Sequence, residues 1–109
     1  MQLVTEIYLA SKTWPREETY GLTAQIRRCA VSVPSNIAEG FARRSQGDYL
    51  RFLNIAMGSL FEFQTQLEVA RNLSFIDELK FNELFQISRE VEAMSAKLIQ
   101  RVAESAKTP

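Results

Sequence analysis

The sequence predicts an all-α protein, an antiparallel up-down-up-down four-helix bundle in a single domain over residues 1–109. Three observations predict it. Apolar residues recur at steps of three and four through four separate segments. No stretch alternates apolar with polar residues as a half-buried strand would. Gly and Pro are scarce, four and three residues.

The first segment spans about 1–12, with Leu3, Val4, Ile7, Tyr8 and Ala10 on one side. It begins without a capping residue, as though the helix started partway along. Trp14-Pro15 ends it, because a residue before proline avoids the α region. The second segment spans about 22–42, with Leu22, Ile26, Cys29, Ala30, Val33, Ile37 and Phe41 in phase. Pro34 lies inside it. Proline has no N–H, so the Ala30 carbonyl loses its helical partner, and the ring crowds that carbonyl. The helix could end and restart there, but Val33 would be a poor N-cap and the apolar steps keep phase through the proline. One kinked helix is the favoured reading.

The third segment spans about 46–72. Ser45, with Asp48 three residues on, resembles a capping box. Tyr49, Phe52, Leu53, Ala56, Leu60, Phe63, Leu67 and Ala70 form its inner face. "NLSFID" breaks the pattern, with Asp77 placed to cap the fourth segment. That segment spans about 78–106, with Leu84, Ile87, Val91, Met94, Leu98 and Val102 inward and a fraying "KTP" tail.

A second apolar stripe accompanies the core line. Leu50, Met57 and Phe61 form it on the third helix, and Phe81, Phe85 and Ile99 on the fourth. A wide core would absorb these residues; a subunit interface would cover them. The three phenylalanines favour a homo-oligomer.

Composition excludes much chemistry. Thirteen Lys and Arg balance thirteen Asp and Glu, so nucleic-acid binding would need a local patch. The chain has no His, which removes the commonest general base and metal ligand. The single Cys29 has neither a disulfide partner nor a base to activate it. Glu62 and Glu68 lack the Glu-x-x-His spacing of a di-iron bundle, and the glycines are too scattered for a phosphate loop. The expectation is a non-enzyme with no catalytic residues, cofactor, metal or small-molecule substrate. No run is long enough to span a membrane and the N-terminus lacks signal-peptide features, so the reading is cytoplasmic.

The local patch does exist. Gln25, Arg28, Ser32, Ser35, Asn36, Glu39 and Arg43 project onto one stripe, and Arg44 and Arg51 lie just beyond it. With Arg27, that makes five arginines against Glu39 and Asp48, a local excess of three positive charges. A solvated face with weak ion pairs is one reading. A surface for a protein or RNA partner is the other, since arginine forks bind carboxylate and phosphate. No aromatic stacking motif accompanies the arginines in sequence.

"YGLTAQIRRCAVSVPSNIAEGFARRS" followed by "YLRFLNIAMGSLFEFQTQLEVA" resembles the 23S ribosomal RNA intervening-sequence proteins, a family related to the accessory variability proteins of retroelements. The likeness covers about residues 14–72, in register and without gaps. It rests on Gln25, Arg27, Arg28, Pro34, Ser35, Asn36, Glu39, Gly40, Arg43, Ser45, Arg51 and Ser59. Cys29, Ala42 and Phe63-Gln64 depart from the family pattern. The resemblance implies a bacterial four-helix bundle assembling as a pentameric ring. It implies no settled biochemical activity. Family chains carry more residues before the position of Met1, so the first helix is expected to be short.

Overall fold

The computed structural model describes the backbone of residues 1–107 and the side chains of residues 1–105; of the "KTP" tail, Thr108 and Pro109 lie outside the described residues. Among the described residues there are four α-helices, one 3-10 turn and no strand. The helices are α1 (Gln2–Ser11), α2 (Leu22–Phe41), α3 (Gln46–Asn72) and α4 (Glu78–Lys107), and the turn Arg16–Glu18 lies between α1 and α2. Each helix packs on its chain neighbours, and α1 also meets α4, so the four enclose one core. The chain is elongated, 53 × 24 × 18 Å.

Local chemistry sets the helix ends. Ser45 caps α3, its Oγ accepting the Asp48 backbone N–H at 3.0 Å. Asp77 Oδ1 accepts the Lys80 N–H at 2.8 Å and starts α4 the same way. The C-terminus of α3 closes in a Schellman turn. The Phe75 N–H reaches the Ala70 carbonyl and the Ser74 N–H reaches the Arg71 carbonyl, both at 2.9 Å. Ser74 takes the left-handed conformation there, φ 62°, the conformation in which such turns usually place glycine. Trp14 is buried below α1 and tilts against Phe75, ring centroids 5.9 Å apart, joining the two connecting segments. α2 runs as one helix through Pro34.

The core holds Leu3 and Ile7 from α1, Ile26, Ala30 and Val33 from α2, Leu60, Phe63 and Leu67 from α3, and Leu84 from α4. Three assignments made from the apolar steps are corrected. Phe81 is not on an outer stripe. It is 5% exposed in the core, stacked on Phe85 with centroids 5.3 Å apart and roofed by the Arg71 guanidinium. Met94 is 65% exposed, not inward. The buried line of α4 runs through Leu84, Ser88, Ser95 and Val102. Ser88 is tolerated there because its hydroxyl donates to the Phe85 carbonyl at 2.6 Å and accepts from Gln64 Nε2 at 3.2 Å.

Phe41 is the third correction: it is 76% exposed. Gly40 takes the core position instead. A Cβ on Gly40 would lie 2.7 Å from Phe52 Cβ, so α2 and α3 approach closely only because this residue has no side chain. One residue further on, the helix has turned about 100°, and Phe41 faces out with its ring edge-on to Tyr49 at 6.1 Å. Of the other second-stripe residues, Leu50, Met57, Phe85 and Ile99 are half-buried and Phe61 is 48% exposed.

Candidate functional site

The α2–α3 seam has an inner, apolar side and an outer, polar one. On the outer side, Gln66 Nε2 donates to Gln25 Oε1 at 3.4 Å, Cys29 Sγ donates to Glu62 Oε2 at 3.4 Å, and the Ser32 and Ser59 hydroxyls are 2.8 Å apart. As residue numbers rise along α2 they fall along α3, so these two helices run antiparallel. Asn36 continues the ladder, its Nδ2 reaching both the Ser32 carbonyl and the Ser32 hydroxyl at 2.8 Å. Gln25, Arg28, Cys29, Ser32, Ser59 and Glu62 line a shallow groove of about 220 Å³.

The arginines separate into distinct roles. Arg27 turns to α1. Its Nε donates to Ser11 Oγ at 2.8 Å, its Nη2 donates to the Tyr8 carbonyl at 3.3 Å, and its guanidinium lies 4.6 Å from the Tyr8 ring centre. This bond explains why Ser11 is buried at the end of α1. Arg43 pairs with Glu39, one turn back, at 2.5 Å. Arg51 approaches Asp48 at 3.8 Å. Both guanidiniums also lie over the Phe52 ring, at 4.9 and 4.5 Å from its centre. Ser35 and Arg44 are exposed and enter neither cluster. Arg28 is exposed at the rim of the groove.

A second, larger concavity adjoins Arg28. It holds about 550 Å³ between α1, the 3-10 turn and α2, and is walled by Tyr8, Tyr20, Ala24, Arg27, Arg28 and Val31. Tyr20 is 94% exposed. Sequence reasoning placed Tyr8 on the apolar side of the first segment and gave Tyr20 no role. The available signal was the position of Tyr20, two residues before α2 and seven before Arg27. Glu62 and Gln66 were missed as partners of α2, although with Ser59 they fall at helical steps on α3.

The thiol of Cys29 is a poor nucleophile in this setting. Burial, followed by the hydrogen bond to and the charge of Glu62, pushes its pKa up from the ordinary 9.0 to about 11, against smaller opposing effects of Gln66 and Arg28. Among the described residues no group of three or more His, Cys, Asp and Glu is placed to hold a metal ion. No helix of the described residues is long and apolar enough to cross a membrane.

The family model described as "23S rRNA-intervening sequence protein" matches residues 1–97. The chain belongs to that family. Of the residues that carry the resemblance, Gln25, Arg28, Asn36 and Ser59 lie along the outer α2–α3 seam, while Arg27 serves the α1 contact. Among solved structures, the chain is similar to a protein of unknown function from the S23 ribosomal protein family of Bacteroides thetaiotaomicron. The two superpose with a TM-score of 0.81 at 22% identity, covering 90% of this chain and 88% of the other. At that identity the likeness speaks for the fold. No curated protein matches the chain.

Proposed function

We propose that this chain is a non-enzymatic, homo-oligomeric helical scaffold that presents the outer α2–α3 seam to a macromolecular partner. The helices are read as an up-down-up-down bundle, supported by the short links and the opposed numbering across the α2–α3 seam. The bend at Pro34 is supported by the N–H that proline lacks. The pentameric ring is carried over from the resemblance.

The observation that supports oligomerisation is the second stripe of α3, where Phe61 is 48% exposed and Leu50 and Met57, at steps of seven and four, are half-buried. Large apolar patches on a soluble monomer are uncommon. The unreactive setting of Cys29 and the absence of His support a role without catalysis. Light scattering coupled to size exclusion tests the reading. The expected mass is about five times the 12.5 kDa of one chain, lowered by Phe61→Asp. A concentration-independent mass of one chain would reject it.

The second reading is an RNA-binding protein acting on structured ribosomal or intervening-sequence RNA. Two observations favour it. The family's description ties it to 23S rRNA. Arg28 and Arg44 also carry no ion pair among the described residues, which leaves their guanidinium forks open to phosphate.

A further inference from the structure

We propose that the hollow between α1, the 3-10 turn and α2 binds an unpaired nucleotide of a single-stranded RNA segment, with the base on Tyr20 and Tyr8 and the phosphate on Arg28. This rests on the RNA reading above and narrows it from structured RNA to an unpaired stretch.

Three features of the hollow converge on this ligand. First, its aromatic walls are accessible. Tyr20 is 94% exposed in the turn that leads into α2, and Tyr8 is 40% exposed with Arg27 over one face of its ring. A tyrosine held in water gains little by burial, but its ring is a flat platform for a base, and sequence-tolerant stacking of this kind dominates single-strand binding. Second, the positive charge is arranged beside the rings. Arg27 is fixed over Tyr8 by its bonds to Ser11 and the Tyr8 carbonyl, so it contributes a positive wall without loss of side-chain freedom on binding. Arg28, its chain neighbour, is exposed and makes no ion pair among the described residues, so its fork is available to a phosphate oxygen. Third, the volume of about 550 Å³ lies within the range of small-ligand sites and has room for a single base.

Val31 closes the apolar floor between the two polar ends. Two acidic neighbours have partners of their own. Glu62, which shares the adjoining groove with Arg28, accepts from the Cys29 thiol. Glu18 engages its carboxylate with the Leu22 N–H at 3.0 Å, capping α2 from the rear. Duplex RNA offers no free base face, so its contacts here reduce to phosphate.

The test is fluorescence anisotropy with a labelled single-stranded RNA oligonucleotide and the same sequence annealed into a duplex, using the whole protein at low salt. Single-stranded RNA is expected to bind at least about tenfold more tightly than duplex. Tyr20→Ala should weaken the single strand about tenfold and leave the duplex unchanged. Arg28→Ala should reduce the slope of log affinity against log salt by roughly 0.7. Tyr20 is almost fully exposed, so its truncation spares the fold, which an unchanged melting temperature verifies. Equal affinity for single strand and duplex, with Tyr20→Ala behaving as wild type, would overturn this site and leave the broader RNA reading standing. No binding to either probe would overturn both. A change of assembly mass in Tyr20→Ala would assign the tyrosine to a subunit contact and also overturn the proposal.

Discussion

Arg27 and Arg28 are adjacent in the chain, yet one fastens α1 to α2 and the other stands free at the rim of two concavities. A step of about 100° between neighbours is enough to separate a structural guanidinium from an available one. Cys29, the next residue, turns another step inward to Glu62. Its raised pKa makes a prediction at this scale. The folded state holds the thiol proton to about pH 11, whereas the unfolded chain releases it near 9.0. Between those values the native state binds more protons than the unfolded one, so the contribution of Cys29 to stability is present below pH 9.0 and lost as pH rises through about 11. Urea unfolding of wild type and Cys29→Ala across this range isolates the effect from the titration of tyrosines and lysines. The difference in stability between the two proteins should shrink as pH rises. A constant difference would show that burial does not hold the proton.

At the scale of the element, the ends of the helices are the best-determined features. Ser45 and Asp77 act as N-caps through short local bonds, and both were legible because the bond partner lies three residues away in sequence. The end of α3 was not legible in the same way. "NLSFID" has no glycine to announce a left-handed residue, and Ser74 adopts that conformation at a steric cost. Ser74→Gly should therefore stabilise the protein by about 1 kcal/mol, seen as a higher urea midpoint with an unchanged slope. A lower midpoint would mean that the hydroxyl contributes more than the strain costs. Gly40 was legible as part of a motif but not as the reason for it. Only the close approach of Phe52 and Tyr49 shows why a side chain is excluded there.

For the whole molecule, the decisive distinction is between apolar residues that complete the core and those left to a neighbour. Phe61 and Phe81 were assigned to one class by sequence and fall into different ones, 48% against 5% exposed. Asp at the two positions should therefore fail differently. Phe81→Asp buries a carboxylate without a designed partner and should destabilise the subunit by more than about 4 kcal/mol, measured as loss of the cooperative unfolding transition or a collapse of its midpoint. Phe61→Asp should leave helicity intact by circular dichroism and act on assembly mass alone. Loss of helicity in Phe61→Asp would place that residue in the core of the subunit.

The sequence by itself determined four helices, the N-caps of α3 and α4, the passage of α2 through Pro34 and the family resemblance. Each depends on residues within a turn or two of one another, and helical periodicity is a local property. Tertiary structure decided how far each helix is rotated about its own axis. That rotation placed Ser88 and Ser95 on the buried line of α4 instead of Met94, turned Phe41 outward beside Gly40, and sent Arg27 to α1. It also brought Tyr8, Tyr20 and Arg28 around one hollow and set Glu62 and Gln66 opposite α2. The physical reason is that an apolar stripe wider than 100° fits more than one rotation, and only the side chains of the facing helices select among them.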